Sequence, residues 1–254
     1  MLDRPRRRPR DLLAGAFAKY HAEGVVTEVG EVTGTMRYIR FVANEPIGSP
    51  YTPGQHVRVQ INDPFSLYGL LRPVETLRTY TIWDYAPAQR AIDLRIHLYP
   101  GDGIGVRWAR EARVGDPLTF WGPQGDFVTR AAPYHLFAGE ETASVAFGPM
   151  IRALGPGEPV YGVLESETAD DEPPCPGSEG LRRVYRRGAS AVSSRVLLDA
   201  LTALDLPDEP GAAYLAGEAR TCQLARDHLV RDRGWPRTSI KVKPFWTPGK
   251  RGLH

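Results

Sequence analysis

Cysteine is scarce in this chain: Cys175 and Cys222 are the two present in 254 residues. They form no CxxC pair, no zinc-ligand spacing and no iron–sulfur spacing, and so small a number agrees with a reducing compartment. Cys175 stands among prolines in an expected loop and Cys222 in an expected helix, and both read as passive. Long apolar runs are missing too; none approaches the ~18 residues that a membrane span requires. The basic start leads into no signal-peptide core, because Asp11-Leu12-Leu13-Ala14-Gly15 breaks off too soon. A cytoplasmic protein with no membrane partner is the expectation. No cluster of His, Asp or Glu has ligand spacing, so no protein-bound metal is expected. Excess charge is small as well, at +2, which disfavours nucleic acid as a partner of the whole molecule. The positive charge gathers at residues 4–10, Arg-Pro-Arg-Arg-Arg-Pro-Arg, without apolar periodicity. Residues 1–11 read as a solvated basic tail, with a nucleic-acid or anionic-surface arm as the sharper alternative.

What the chain does have is turn residues, with Gly 26 and Pro 23. They favour short strands over a helical bundle. Strand patterns fall at 25–29, 36–42, 56–61, 79–85, 91–98 and 117–121. Gly34, Pro53-Gly54, Asn62-Asp63-Pro64, Pro87 and Gly115-Asp116-Pro117 separate them. This run of six strands implies an antiparallel β-barrel, interrupted by a helix at 106–112 and preceded by a short helix at 12–20. After residue 134 the rhythm becomes an alternation. Strands are expected at 135–138, 160–165, 181–186, 212–216 and 240–246, and helices at 143–154, 193–204 and 220–233. Such alternation implies a doubly wound, mostly parallel α/β sheet. The stretch 166–180 is acidic and proline-rich and reads as a surface loop. The expected units are a barrel domain at 12–130 and an α/β domain at 131–254, with the break near 128–133.

Two segments carry chemistry. On the strand Arg78-Thr79-Tyr80-Thr81, Arg78 and Tyr80 share one face and Thr79 and Thr81 the other. Arg78 suits phosphate oxygens, Tyr80 suits a ring system, and Thr81 could hydrogen-bond a ring nitrogen. An ordinary barrel strand with an exposed arginine and a core tyrosine would show the same pattern. The second segment, Gly101 to Gly105, is a glycine-rich turn opening a helix, where free N–H groups favour a pyrophosphate. Its setting among barrel strands separates it from the dinucleotide fingerprint of a βαβ unit.

Further pieces follow in order: Arg107-Trp108-Ala109, Val114-Gly115-Asp116, Gly122-Pro123-Gln124-Gly125-Asp126-Phe127, Ala138-Gly139-Glu140-Glu141-Thr142-Ala143, Ala216-Gly217-Glu218-Ala219 and Phe245-Trp246. With Arg78–Thr81 and the glycine turn, they make the chain resemble the siderophore-interacting protein family. That family consists of FAD-dependent, NAD(P)H-using ferric-siderophore reductases related to the ferredoxin reductases. The resemblance implies that Arg78, Thr79, Tyr80, Thr81, Tyr99, Gly101, Gly103, Ile104, Gly105, Val106 and Trp108 hold FAD. It implies that Gly139, Glu140, Thr142, Gly217, Glu218 and Ala219 line the cleft for NADPH or NADH. It places a ferric siderophore, or another small ferric chelate, beside Lys243, Trp246, Lys250 and Arg251. A hydride would pass from the nicotinamide to the flavin, then single electrons to ferric iron, with no catalytic acid or base. Among Arg182, Arg183, Arg186 and Arg187, one near the ribose would favour a 2′-phosphate. The chain departs from the family pattern at Trp83, where a second arginine is usual. It departs also at Ile104-Gly105-Val106, where proline, alanine and serine are usual, and at Tyr99, where histidine is common. Thr247-Pro248-Gly249 lengthens the end of the chain between Trp246 and Lys250. Same-fold alternatives are a reductase of free flavin and an electron donor to a partner oxygenase.

Overall fold

The computed structural model describes residues 21–48, 50–62, 71, 76–99, 101 and 103–250. The basic tail, the expected helix at 12–20, part of the turn at 62–64 and Arg251 lie outside the described residues.

Six antiparallel strands close a barrel: β1 (Ala22–Thr33), β2 (Met36–Ala43), β3 (His56–Gln60), β4 (Leu77–Ala86), β5 (Ala91–His97) and β6 (Pro117–Gln124), in the order β1-β2-β5-β4-β3-β6. Alternation decides which side chains go inside. On β2, Ile39, Phe41 and Ala43 are buried, while Arg40 between them turns outward to Asp93 at 3.5 Å. Val57, Val59, Ile82, Ile92, Leu94 and Phe120 complete the interior. Helix α1 (Ile104–Glu111) lies against this barrel through Trp108 and Ala109.

The second unit is a five-stranded parallel sheet of β7 (His135–Glu140), β8 (Val160–Ser166), β9 (Leu181–Tyr185), β10 (Ala212–Glu218) and β11 (Ile240–Trp246), in the order β11-β10-β7-β8-β9. Every residue of β7 and β10 is buried, as expected of central strands covered on both faces. Helix α2 (Ser144–Arg152) covers one face, setting Phe147 and Met150 against Phe137 and Tyr214. Helices α3 (Arg195–Thr202) and α4 (Ala219–Arg231) cover the other, setting Leu197, Leu201, Ala225 and Leu229 against Leu136 and Leu215. Burying each leucine stabilises by roughly 1.5–3 kcal/mol. The order of strands reverses between β7 and β10, so the crevice at their carboxyl ends is the place where such a sheet takes a ligand.

Helix α1 begins at Ile104, earlier than the expected 106, so Ile104 and Gly105 belong to its first turn and not to the preceding loop. The loop at 166–180 is more than surface. It buries Cys175 and Ser178 and touches the barrel, where Arg95 Nη1 donates to the Pro174 carbonyl at 3.0 Å and Thr35 to Asp171 at 3.3 Å. Trp83 on β4 is also buried in the seam between the units. The Arg95 guanidinium stands 3.5 Å from its ring centroid and that of Arg152 4.5 Å, and Arg152 donates to the Trp83 carbonyl at 2.7 Å.

Candidate functional sites at the barrel rim and the sheet crevice

The first site gathers around the start of α1. Across the β3–β4 ladder, Arg78 faces Val59 and Tyr80 faces Val57. Arg78 and Tyr80 therefore share the inward face, and Thr79 and Thr81 share the outer one with Arg58 and His56. The Tyr80 ring stacks on Trp108, with centroids 5.3 Å apart and planes at 28°, and its hydroxyl donates to the Gly105 carbonyl at 3.0 Å. Burial keeps that phenol protonated far above its ordinary range. A Cβ on Gly105 would stand 2.8 Å from the Tyr80 hydroxyl and 3.1 Å from Arg78 Cγ; the absent methyl lets the three residues converge. Arg78 Nη1 donates to the Leu77 carbonyl at 2.7 Å. Ile104 and Val106 are buried and so present backbone, not side chain, at the helix start. Gly103 caps α1 with no side-chain bond, and Gly101 sits at φ 123°, where glycine is favoured. Arg110, which the sequence did not single out, fastens the turn from below, its guanidinium donating to the Gly101 and Tyr99 carbonyls, each at 3.1 Å. Tyr99 itself is 47% exposed, its hydroxyl lying over Gly103.

The second site is the crevice beyond β7 and β10. Gly139 is buried where α2 packs on the sheet, with Ala143 and the Ala216 carbonyl occupying the space of a Cβ. Glu140 is 2% exposed. Its carboxylate accepts from Thr142 N at 2.7 Å, Thr142 Oγ1 at 2.5 Å and Trp246 Nε1 at 2.9 Å. Burial, with Glu141 adding, raises its pKa to about 7. Glu218 starts α4 by accepting from Arg220 N at 2.9 Å and Thr221 N at 2.7 Å, and Ala219 is the first residue of that helix. Arg186, one of the arginines considered for a 2′-phosphate, is committed elsewhere. It pairs with Glu141 at 2.5 Å, Glu165 at 3.0 Å and Glu167 at 3.3 Å. Arg183 pairs with Glu172 at 3.2 Å, whereas Arg182 and Arg187 are exposed.

A third group lies where β11 meets the barrel. Lys241 Nζ donates to the Asp126 carbonyl at 2.5 Å. Burial, then the charges of Lys243 and Arg58, lowers the His56 pKa to about 4. The Arg58 Nε is buried without a partner. Lys250 is exposed at the end of the described chain. The sequence pointed to Lys243 but not to His56 or Arg58, because only the pairing of β3 with β4 and β6 brings them here. Among the described residues no group of three or more His, Cys, Asp or Glu side chains is arranged to hold a metal ion. No helix among them is long and apolar enough to cross a membrane.

Comparison with known proteins supplies two family models. "Siderophore-interacting FAD-binding domain" matches residues 72–127 and "Siderophore-interacting protein" matches residues 132–249. An uncharacterized protein of Mycobacterium tuberculosis is 27% identical over 68% of this chain and 66% of its own length. The ferric vibriobactin reductase of Vibrio cholerae is 25% identical over 68% of this chain and 65% of its own length. The chain thus spans just under two thirds of these curated relatives. A siderophore utilization protein from T. fusca superimposes with a TM-score of 0.78 at 23% identity, over 92% of this chain and 95% of that one. The ferredoxin reductase in carbazole 1,9a-dioxygenase does so with a TM-score of 0.70 at 20% identity, over 89% of this chain and 68% of that one. At these identities the two structures speak for the fold, a ferredoxin-reductase-like barrel and sheet.

Proposed function

The chain belongs to the siderophore-interacting protein family, and from that premise we propose that it passes electrons from NAD(P)H through FAD to a ferric siderophore. The observation that carries the reading is the convergence of Arg78, Tyr80 and Gly105 on the uncapped start of α1. The residues fit FAD: glycine backbone at Gly101 and Gly103, helix N–H groups and the Arg78 cation suit a pyrophosphate. The β4 face carrying Thr79 and Thr81 offers hydroxyls for the flavin ring. Bound FAD supplies the redox chemistry, accepting electrons in pairs and releasing them singly. Arg78 would neutralise phosphate charge, and Arg110 occupies the Tyr99 and Gly101 carbonyls. The stacked pair of Tyr80 and Trp108 gives that end of the site a rigid apolar floor.

The crevice over β7 and β10 takes the pyridine nucleotide in this reading, with Gly139, Thr142, Gly217 and Ala219 shaping its floor. Arg58, Lys243 and Lys250, beside a neutral His56, offer a positive face to an anionic ferric chelate. Trp246 supplies an aromatic ring at its border. Hard oxygen ligands hold ferric iron better than ferrous iron, so reduction frees the metal, which is substrate and not a resident cofactor.

The test is direct. Purified protein should carry, or take up, a chromophore with the two-banded visible spectrum of oxidised flavin. With NADPH or NADH it should reduce ferric chelates, read by a colour reagent specific for Fe(II). Protein that refuses FAD, or whose nucleotide oxidation responds only to free flavin or to a partner oxygenase, would remove the siderophore reading.

A further inference from the structure

Glu140 ends β7 and Trp246 ends β11, with β10 between them. Neighbouring strands lie about 4.8 Å apart, so these two residues start some two strand spacings from each other. A 2.9 Å bond from Trp246 Nε1 to Glu140 Oε1 is possible only because both side chains reach across the end of β10. Two local features let them do so. Gly217 on β10 leaves the path clear, since a Cβ there would stand 2.5 Å from Glu140 Oε1. The β10–β11 ladder also slips between Gly217 and Glu218, pairing Gly217 with Pro244 but Glu218 with Trp246; such an irregularity re-aims a side chain. The carboxylate and the indole therefore lie over the reversal point between β7 and β10. The N–H of Thr142, which precedes α2, bonds to Glu140, and the first amides of α4 bond to Glu218. The groups that an α/β sheet usually offers to a nucleotide phosphate are thus held by the protein's own carboxylates.

We infer that Glu140 and Trp246 form a latch that closes the nucleotide crevice, so that a pyridine dinucleotide enters only by breaking the indole–carboxylate bond. This rests on the reading that the crevice takes NAD(P)H. The latch makes affinity lower than the open crevice would have, and Trp246→Phe, which keeps the ring but deletes the donor, opens it. Glu140→Gln opens it as well, because the amide can still accept from Thr142 while its NH2 cannot accept from an indole N–H.

The experiment is equilibrium titration of the FAD-loaded protein with NADP⁺ and NAD⁺, by calorimetry and by flavin difference spectra. Roughly tenfold tighter binding is expected for each single variant, the size of one charged hydrogen bond. The double variant should bind no tighter than either single, since both remove the same bond. Equal affinity in wild type and Trp246→Phe, or weaker binding in the variant, overturns the latch and leaves the reductase reading standing. Fully additive gains overturn it too, because Glu140 would then act only through its charge. Failure of the wild type and every variant to bind either nucleotide overturns the nucleotide reading together with the latch. Should Glu140→Gln misfold, Trp246→Phe alone decides between tighter and unchanged binding.

Discussion

A methyl group on Gly105 would press on the Tyr80 hydroxyl and the Arg78 side chain together. Gly105→Ala is therefore expected to lower FAD retention more than it lowers stability, measured as the ratio of flavin to protein absorbance after gel filtration. Arg78→Ala should lower retention through lost phosphate charge, and unchanged retention would refute its assigned role. Tyr80→Phe deletes the donor to the Gly105 carbonyl and should cost about 1–3 kcal/mol of stability, read by urea unfolding. Glu140 carries a pH signature. Its folded pKa is raised to about 7 from an ordinary 4.5, so the folded protein binds this proton more tightly than the unfolded chain. The associated stabilisation is present below about 4.5 and is lost as pH rises to about 7. Glu140→Gln lacks this slope, so the Tm of wild type relative to the variant should fall between pH 5 and pH 8.

The seam between β4 and α2 shows what a motif departure does to packing. The family resemblance made Trp83 a missing arginine, but the ring lies buried between Arg95 and Arg152, with Gly148 of α2 against its edge. Trp83→Arg would reinstate the family's usual residue and set a third cation between those two guanidinium groups. It should destabilise by more than about 2 kcal/mol, whereas Trp83→Phe, which keeps a ring, should cost less. Urea unfolding of both variants checks the order. The elements themselves were largely legible. The strand at 240–246 lies where the pattern placed it, and α3 falls within the helix expected at 193–204. The glycine-rich turn at Gly101 to Gly105 points to a helix from 106, and the helix takes in the last glycine of that turn. Gly105 is helical despite about 1 kcal/mol of unfavourable propensity, and its carbonyl accepts from the Tyr80 hydroxyl at 3.0 Å.

Across the molecule, two positive groups, Arg58 of β3 and Lys243 of β11, meet beside His56 at the border of barrel and sheet. His56, held neutral by burial and by Lys243 and Arg58, should gain a proton when an anionic ferric chelate arrives and offsets those charges. Binding at pH 6 should therefore take up protons, seen as a dependence of calorimetric heat on buffer ionisation enthalpy. His56→Gln should abolish that dependence.

Periodicity and turn residues were enough to read the barrel and the alternating sheet, because those signals are local and repeat along the chain. The order of strands, the commitment of Arg186 to three glutamates, the burial of Trp83 and the reach of Trp246 to Glu140 were decided by tertiary structure. Each joins residues distant in sequence, and their burial and charge depend on which strands become neighbours.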